Sequence, residues 1–308
     1  MISYEFKKPP LLICLIFIFA FLTLNCKEGK ASTGWWIFRR PQSTKPKAIT
    51  TVAAVRGNLP GVFYNPCILG TITEREIFFL TELGLAQDSF GGLIYGQPIG
   101  SEAGISTGFV YYDAGKMTLY WIENNNEQSR EVSAQRDILG FVSYAHKIGK
   151  MAVIGANVKF ANSKIAEEKD ASAVACDLGL MLFTSESLSL SFAAQNLGVS
   201  TKFVSRAEEL PASIWFGSAY NKKISANSYL VVGFELPYIM KESKIIPSIA
   251  IEYGTGLIEF NVGYWFGSEE PVIHTGFGIT ISNFDFGYAF IPAKYLSHAH
   301  RLNLGCRF

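Results

Sequence analysis

Five ionisable side chains, Lys159, Asp177, Glu235, Glu252 and Glu259, stand in stretches where apolar and polar residues alternate, each on the polar side of the alternation. They share that side with Asn157, Ser189, Ser191, Gln195, Asn261, His274, Thr280 and Asp285, interleaved with glycines. No Ser, His and acid are grouped as a catalytic triad requires. The chemistry on offer is ion pairing and the wetting of a polar face, because an unpaired charge is too costly to leave in a dry interior. Lys159 and Asp177, opposite in sign on neighbouring runs, are placed to pair or to anchor a segment against them. Two apparent motifs fail on context. Gly104-Ile-Ser-Thr-Gly108 fits the G-x-S-x-G elbow, but that elbow needs a strand entering a helix, and here an alternating strand continues. His298 and His300 share a face without a neighbouring Cys or carboxylate, which reads as a solvated rim rather than a metal site. No enzymatic activity, metal or cofactor is expected.

Strands must position these residues. Side chains on successive strand positions point to opposite faces. Opposite the polar side lie Ala152, Ile154, Ala156, Val158 and Phe160; Val174, Cys176, Leu178, Leu180 and Leu182; and Ile258, Phe260, Val262, Tyr264 and Phe266. The sequence parses into about fourteen strands near 74–84, 89–97, 104–113, 137–147, 150–161, 172–184, 187–196, 211–221, 226–236, 244–254, 257–266, 272–281, 283–290 and 298–308. Most approach the roughly 9 to 11 residues that cross a bilayer at a tilt. The last places Leu302, Leu304, Cys306 and Phe308 on one face. Bacterial outer-membrane barrels commonly end on such a strand with a terminal Phe, and this ending resembles that pattern; Leu302, Leu304 and Phe308 are the expected closure and assembly residues.

Period two suits a soluble sandwich as well as a barrel, so connection lengths decide. From the third strand onward, the gaps after even-numbered strands are tight, whereas those after odd-numbered strands are long (114–136, 162–171, 197–210, 237–243, 267–271 and 291–297). Short periplasmic turns and long extracellular loops produce that asymmetry. The fold class expected is all-β, a transmembrane antiparallel barrel of about fourteen strands. Outward Leu180, Val262 and Leu304 should reject Arg, while inward Ser191 and Asn261 should accept it. The 114–136 connection, with Met117-Thr-Leu-Tyr-Trp-Ile122, either raises the wall or adds a hairpin.

The 308 residues carry a net charge of +1, which gives no field to attract nucleic acid. Of five cysteines, Cys67, Cys176 and Cys306 are scattered through the body and form no disulfide framework. Lys7 and Lys8 precede an apolar run over 11–24, long enough for a secretory h-region and short for a membrane helix. Residues 1–31 are therefore expected to be a signal peptide, cleaved after Ala31 or, through a loose lipobox, before an acylated Cys26. Residues 32–73 hold Pro41, Pro46, Pro60 and Pro66 and do not alternate. Residues 74–308 are the expected barrel, in the bacterial outer membrane.

Ala53-Ala-Val-Arg-Gly-Asn58, followed by Gly61-Val-Phe-Tyr-Asn-Pro-Cys-Ile-Leu69, resembles the N-terminal motif of the PorV/PorQ-type outer-membrane proteins, distant relatives of the FadL fatty-acid transporters. Ala193-Ala-Gln-Asn-Leu-Gly198, Gly179-Leu-Met-Leu-Phe183 and the closing Arg301-Leu-Asn-Leu-Gly-Cys-Arg-Phe308 are similar to stretches in corresponding places. Cys67 stands where that family usually has Ala, and the acidic pair typical before the aromatic is missing. The resemblance implies that residues 36–70 fold back into the lumen as a hatch, with Asn65, Pro66 and Leu69 fixing it to the wall. It also implies a FadL-like channel for hydrophobic or amphipathic small molecules, or a PorV/PorQ-like component of a protein secretion system that holds or relays cargo. The partners it implies are the lipid bilayer, the barrel assembly machinery, and either a hydrophobic ligand or secretion-system proteins.

Overall fold

The structure, a computed structural model, describes residues 34–40, 42–46, 57–83, 88–205, 207–266, 273–292 and 298–308. The expected signal peptide and residues 53–56 of the N-terminal motif lie outside the described residues. Short 3-10 turns, Trp36–Arg39, Leu59–Phe63 and Pro66–Thr71, occupy the Pro-rich N-terminal segment. Strands follow: β1 (Glu76–Leu83), β2 (Ser89–Ile99), β3 (Ala103–Asp113), β4 (Lys116–Glu123), β5 (Asn126–Ser133), β6 (Gln135–Ile148), β7 (Ala152–Ile165), β8 (Lys169–Phe183), β9 (Leu188–Ser200), β10 (Ser213–Ser225), β11 (Ser228–Ile239), β12 (Lys244–Ile245), β13 (Ser248–Thr255), β14 (Ile258–Trp265), β15 (Ile273–Ile281), β16 (Phe284–Ile291) and β17 (Ala299–Arg307).

All but β4, β5 and the two-residue β12 form one closed antiparallel wall of fourteen strands. The seam joins β1 to β17 from Glu76↔Arg307 to Leu83↔His300, and the Phe308 amide extends it by donating to the Arg75 carbonyl at 3.0 Å. Closure removes the exposed edges that an open sheet would present. Three details differ from the sequence reading. The expected strand over 244–254 is interrupted at Pro247, which has no ladder N–H to give. The loop expected over 162–171 shrinks to residues 166–168, because β7 and β8 run on; their charged ends read as loop, yet strands standing in water are polar on both faces. The 114–136 connection both raises the wall and adds a hairpin: β4 and β5 pair in the register set by β3 and β6.

The outer face is apolar. Ile154, Val158, Phe160, Val174, Leu178, Ile258, Phe260, Val262, Leu302 and Leu304 are all exposed there, a continuous surface that suits hydrocarbon rather than water. The inner face is uneven around the barrel. From β1 to β8 it carries Leu80, Phe90, Ile94, Val110, Leu139, Phe141, Val153 and Met181, which bury against Leu59, Val62, Phe63, Ile68 and Leu69 of the N-terminal segment. From β10 to β17 it carries mainly small or polar residues, among them Ala219, Ser248, Ala250, Asn261, His274 and Ala289. One half of the lumen is thus a packed core.

Candidate functional site

The packed half is built on close approach. At Gly155 of β7, a Cβ would lie 3.0 Å from the Pro66 carbonyl carbon and the Cys67 amide. At Gly179 of β8 it would collide with the Asn65 side chain. Only glycine lets the backbone turn at Asn65-Pro66 touch the wall. Asn65 begins the Pro66–Thr71 turn by accepting the Cys67 amide at 3.1 Å, and Leu69 lies against Gly104 of β3. Asn65, Pro66 and Leu69, the residues singled out in the sequence, are all buried at this contact.

Lys159 and Asp177 pair at 2.7 Å with neither side chain exposed. Asp177 also accepts the Asn196 amide at 2.7 Å and Asn157 Nδ2 at 3.0 Å, and Lys159 donates to Asn196 Oδ1 at 3.1 Å. The cluster grips the N-terminal segment as well. Asn157 Nδ2 donates to the Val62 carbonyl at 2.9 Å, and the Lys159 ammonium sits 4.2 Å from the centre of the Phe63 ring. Asn196 did not stand out in the sequence. A bulge in β9 opposite Cys176 and Leu178 turns Gln195 and Asn196 inward together, with Asn196 at φ 56°. Two consecutive polar residues in an otherwise alternating strand were the available signal.

The other half is crossed by residues 42–46. Lys45 reaches Glu252 and Glu259 at 2.9 Å each, and the Tyr229 hydroxyl donates to both carboxylates. Burial opposes the Lys45 charge, but the two carboxylates more than offset it and hold its pKa above the usual lysine value. The Thr44 carbonyl meets His274 Nε2 at 2.6 Å, the Thr44 hydroxyl bonds Asn303, and Pro46 presses on Gly263. Higher up, Tyr64 donates to the Arg40 carbonyl at 2.6 Å and accepts the Gln42 amide at 3.1 Å.

Above and below this crossing lie two cavities. The upper, about 340 Å³ and toward the long loops, is lined by Trp36, Phe38, Trp215 and Trp265, with Glu235 and Arg301 as polar members. Glu235 accepts from Ser248 at 2.8 Å, and Arg301 pairs with Glu82. Arg39, Arg40, Glu82 and Asp88 line it too: Arg39 pairs with Glu242 at 2.6 Å, while Arg40 pairs with Glu82 and Asp88 and stacks 3.9 Å from the Tyr112 ring centre. The lower cavity, about 660 Å³ and toward the tight turns, is lined by Lys45, Tyr229, Glu252, Glu259, Asp285 and Arg307 among others. Of the five charges in the opening constellation, Glu252 and Glu259 meet below, Glu235 stands above, and Lys159 with Asp177 is sealed in the packed half. Ser191 and Asn261 are both buried on the inner face, so an Arg at either place would have to displace its neighbours or reach a chamber.

Beyond the rim, the β4–β5 hairpin leaves Tyr120, Trp121 and Ile122 exposed. His300 Nδ1 lies 2.8 Å from the Tyr288 hydroxyl on the outer face.

The fold is similar to that of several solved structures. The Ralstonia pickettii toluene transporter TbuX superposes with a TM-score of 0.58 at 11% identity, covering 88% of this chain and 100% of that one. The Pseudomonas putida toluene transporter TodX gives 0.55 at 11% identity over 91% and 98% of the two chains. A Pseudomonas aeruginosa FadL homologue gives 0.55 at 9% identity over 92% and 99%. No protein-family model and no curated protein matches the sequence, so the likeness is one of fold.

Proposed function

We propose that this protein is a FadL-like channel of a bacterial outer membrane that admits hydrophobic or amphipathic small molecules, with residues 36–70 as its hatch. The observation that carries this is the upper cavity. Trp36, Phe38, Trp215 and Trp265 wall a chamber of ligand size, the charged groups of Arg39, Arg40, Glu82, Asp88, Glu235 and Arg301 share its lining, and the N-terminal segment contributes to it. Irregular, Pro-rich backbone cannot face lipid but can be buried inside a barrel. In this reading the Lys159–Asp177 cluster with Asn65, Pro66 and Leu69 anchors the hatch, Glu235 belongs to the entry chamber, and Glu252 and Glu259 belong to the exit. Structural neighbours that include two toluene transporters and a FadL homologue support the assignment. Residues 1–31 would direct export, and the barrel assembly machinery would insert the wall.

The test is deletion of residues 36–70 followed by single-channel recording in planar bilayers. The intact protein should be blocked and the truncated barrel should carry a large steady current; an assembled truncated barrel that stays silent refutes the channel. A second reading, a PorV/PorQ-like role in secretion, is favoured by the exposed apolar residues of the β4–β5 hairpin, which suit a docking partner. Loss of cargo secretion on deleting the hairpin, with small-molecule entry intact, would favour it.

A further inference from the structure

The two cavities sit one above the other on the same side of the lumen. Neither borders β2, β3, β6, β7 or β8, the strands against which Pro66–Thr71 packs. Both are bounded by β1, β10, β11, β13, β14, β16 and β17, and the pairings from Ser228↔Thr255 to Ile291↔Ala299 show no register shift. From β11 to β17 the ladder is therefore unbroken; the shifts lie beside it, at β8–β9, where Gln195 and Asn196 of the bulge line the upper chamber, and at the β10–β11 turn. Among the described residues, 42–46 with Asn261, His274 and Asn303 lie between the chambers.

We infer that the permeant travels end to end down the β11–β17 half of the lumen, and that residues 42–46 form a strap that yields, with Lys45 as its latch. The inference rests on the channel reading and specifies which part of the hatch moves. The two parts of the N-terminal segment are held in different ways. Moving residues 57–72 would expose Leu59, Val62, Phe63, Ile68 and Leu69 and disturb the contacts around the sealed Lys159–Asp177 pair. Moving the strap breaks polar contacts rather than an apolar core, namely Lys45 with Glu252 and Glu259, Thr44 with His274 and Asn303, and Gln42 with Tyr64, and water entering from the two chambers can take their place. Water is close by: the Lys45 side chain is 25% exposed toward the lower chamber. Once the strap swings aside, Glu252, Glu259, Tyr229, Asn303 and His274 line one continuous passage.

Cross-linking in planar bilayers tests this, with the native cysteines replaced and Lys45→Ala present to unlatch the strap. One pair, Thr44→Cys with Asn303→Cys, ties the strap to β17 where the two side chains already touch. The control pair, Gly70→Cys with Val153→Cys, ties the other part to β7; a Cβ on Gly70 would lie 3.3 Å from that of Val153, close to disulfide range. Potassium chloride current should appear in the Lys45→Ala protein. Oxidising the 44–303 pair should abolish it until reductant is added, and oxidising the 70–153 pair should leave it unchanged. Current that survives the 44–303 bridge, or is lost with the 70–153 bridge, overturns the inference. So does a silent Lys45→Ala protein when the 36–70 deletion conducts. Silence from both the assembled deletion and Lys45→Ala brings down the channel reading itself.

Discussion

Replacing Lys159 by Met leaves Asp177 buried without its counter-ion, and the structure sets the size of the effect. Breaking a buried ion pair by removing one partner costs about 3 to 5 kcal/mol. Asp177 would keep two donors, the Asn196 amide and Asn157 Nδ2, which puts Lys159→Met at the lower end. Asp177→Leu belongs at the upper end, because Lys159 would retain only Asn196 Oδ1 and the Phe63 ring face. Cys67 supplies the readout. Its thiol is fully buried on the N-terminal segment, and burial pushes its pKa up to about 12, so it reacts only when that segment leaves the wall. With Cys176 and Cys306 replaced by Ser, maleimide labelling of Cys67 measures the opening free energy. A loss of about 3 kcal/mol should speed labelling roughly a hundredfold. Labelling of Lys159→Met at the wild-type rate would refute the claim that this pair holds the segment.

Gly155→Leu should also speed Cys67 labelling, since overpacking against Pro66 costs about 1 to 3 kcal/mol; an unchanged rate would mean that the contact gives way easily. Val262→Arg and Leu304→Arg should each destabilise the barrel by about 2 to 4 kcal/mol in urea titrations in lipid, the cost of a charge near the bilayer midplane. Phe308→Asp should lower the yield of heat-modifiable barrel in the outer membrane, and a normal yield would detach the terminal aromatic from assembly.

The wall was legible in the sequence because an apolar outer face and the lumen impose opposite chemistry on alternate residues. Ile258, Phe260 and Val262 against Glu259 and Asn261 already state which way β14 faces. The lumen was less legible. The run Phe78-Phe79-Leu80 is apolar on both faces, which in a barrel means that something packs inside; that sign, repeated at Phe90, Ile94 and Leu139, marks the filled half. Arg40 and Lys45 carry no periodicity, since irregular backbone has none, and their partners Glu82, Glu252 and Glu259 are distant in sequence. Asn196 was hidden by a bulge that breaks the alternation by which inward residues are found.

The described N-terminal residues begin at the outer rim, where Trp35 stacks 5.6 Å from Phe203, and descend past Arg40 to Lys45. β1 then starts at the opposite end. A wall that closes around its own leading segment has a topological order of assembly. If the β1–β17 seam sealed first, the leading segment would have to thread a finished cylinder through a bore that Leu139, Phe141 and Val153 already narrow. If the segment settles first, it serves as a mandrel on which the sheet curls. Loop-closure entropy delays the seam in any case, because its two strands lie at the extremes of the barrel sequence. Late sealing gives the mandrel its opportunity, and a ring of hydrogen bonds, once shut, keeps the segment inside.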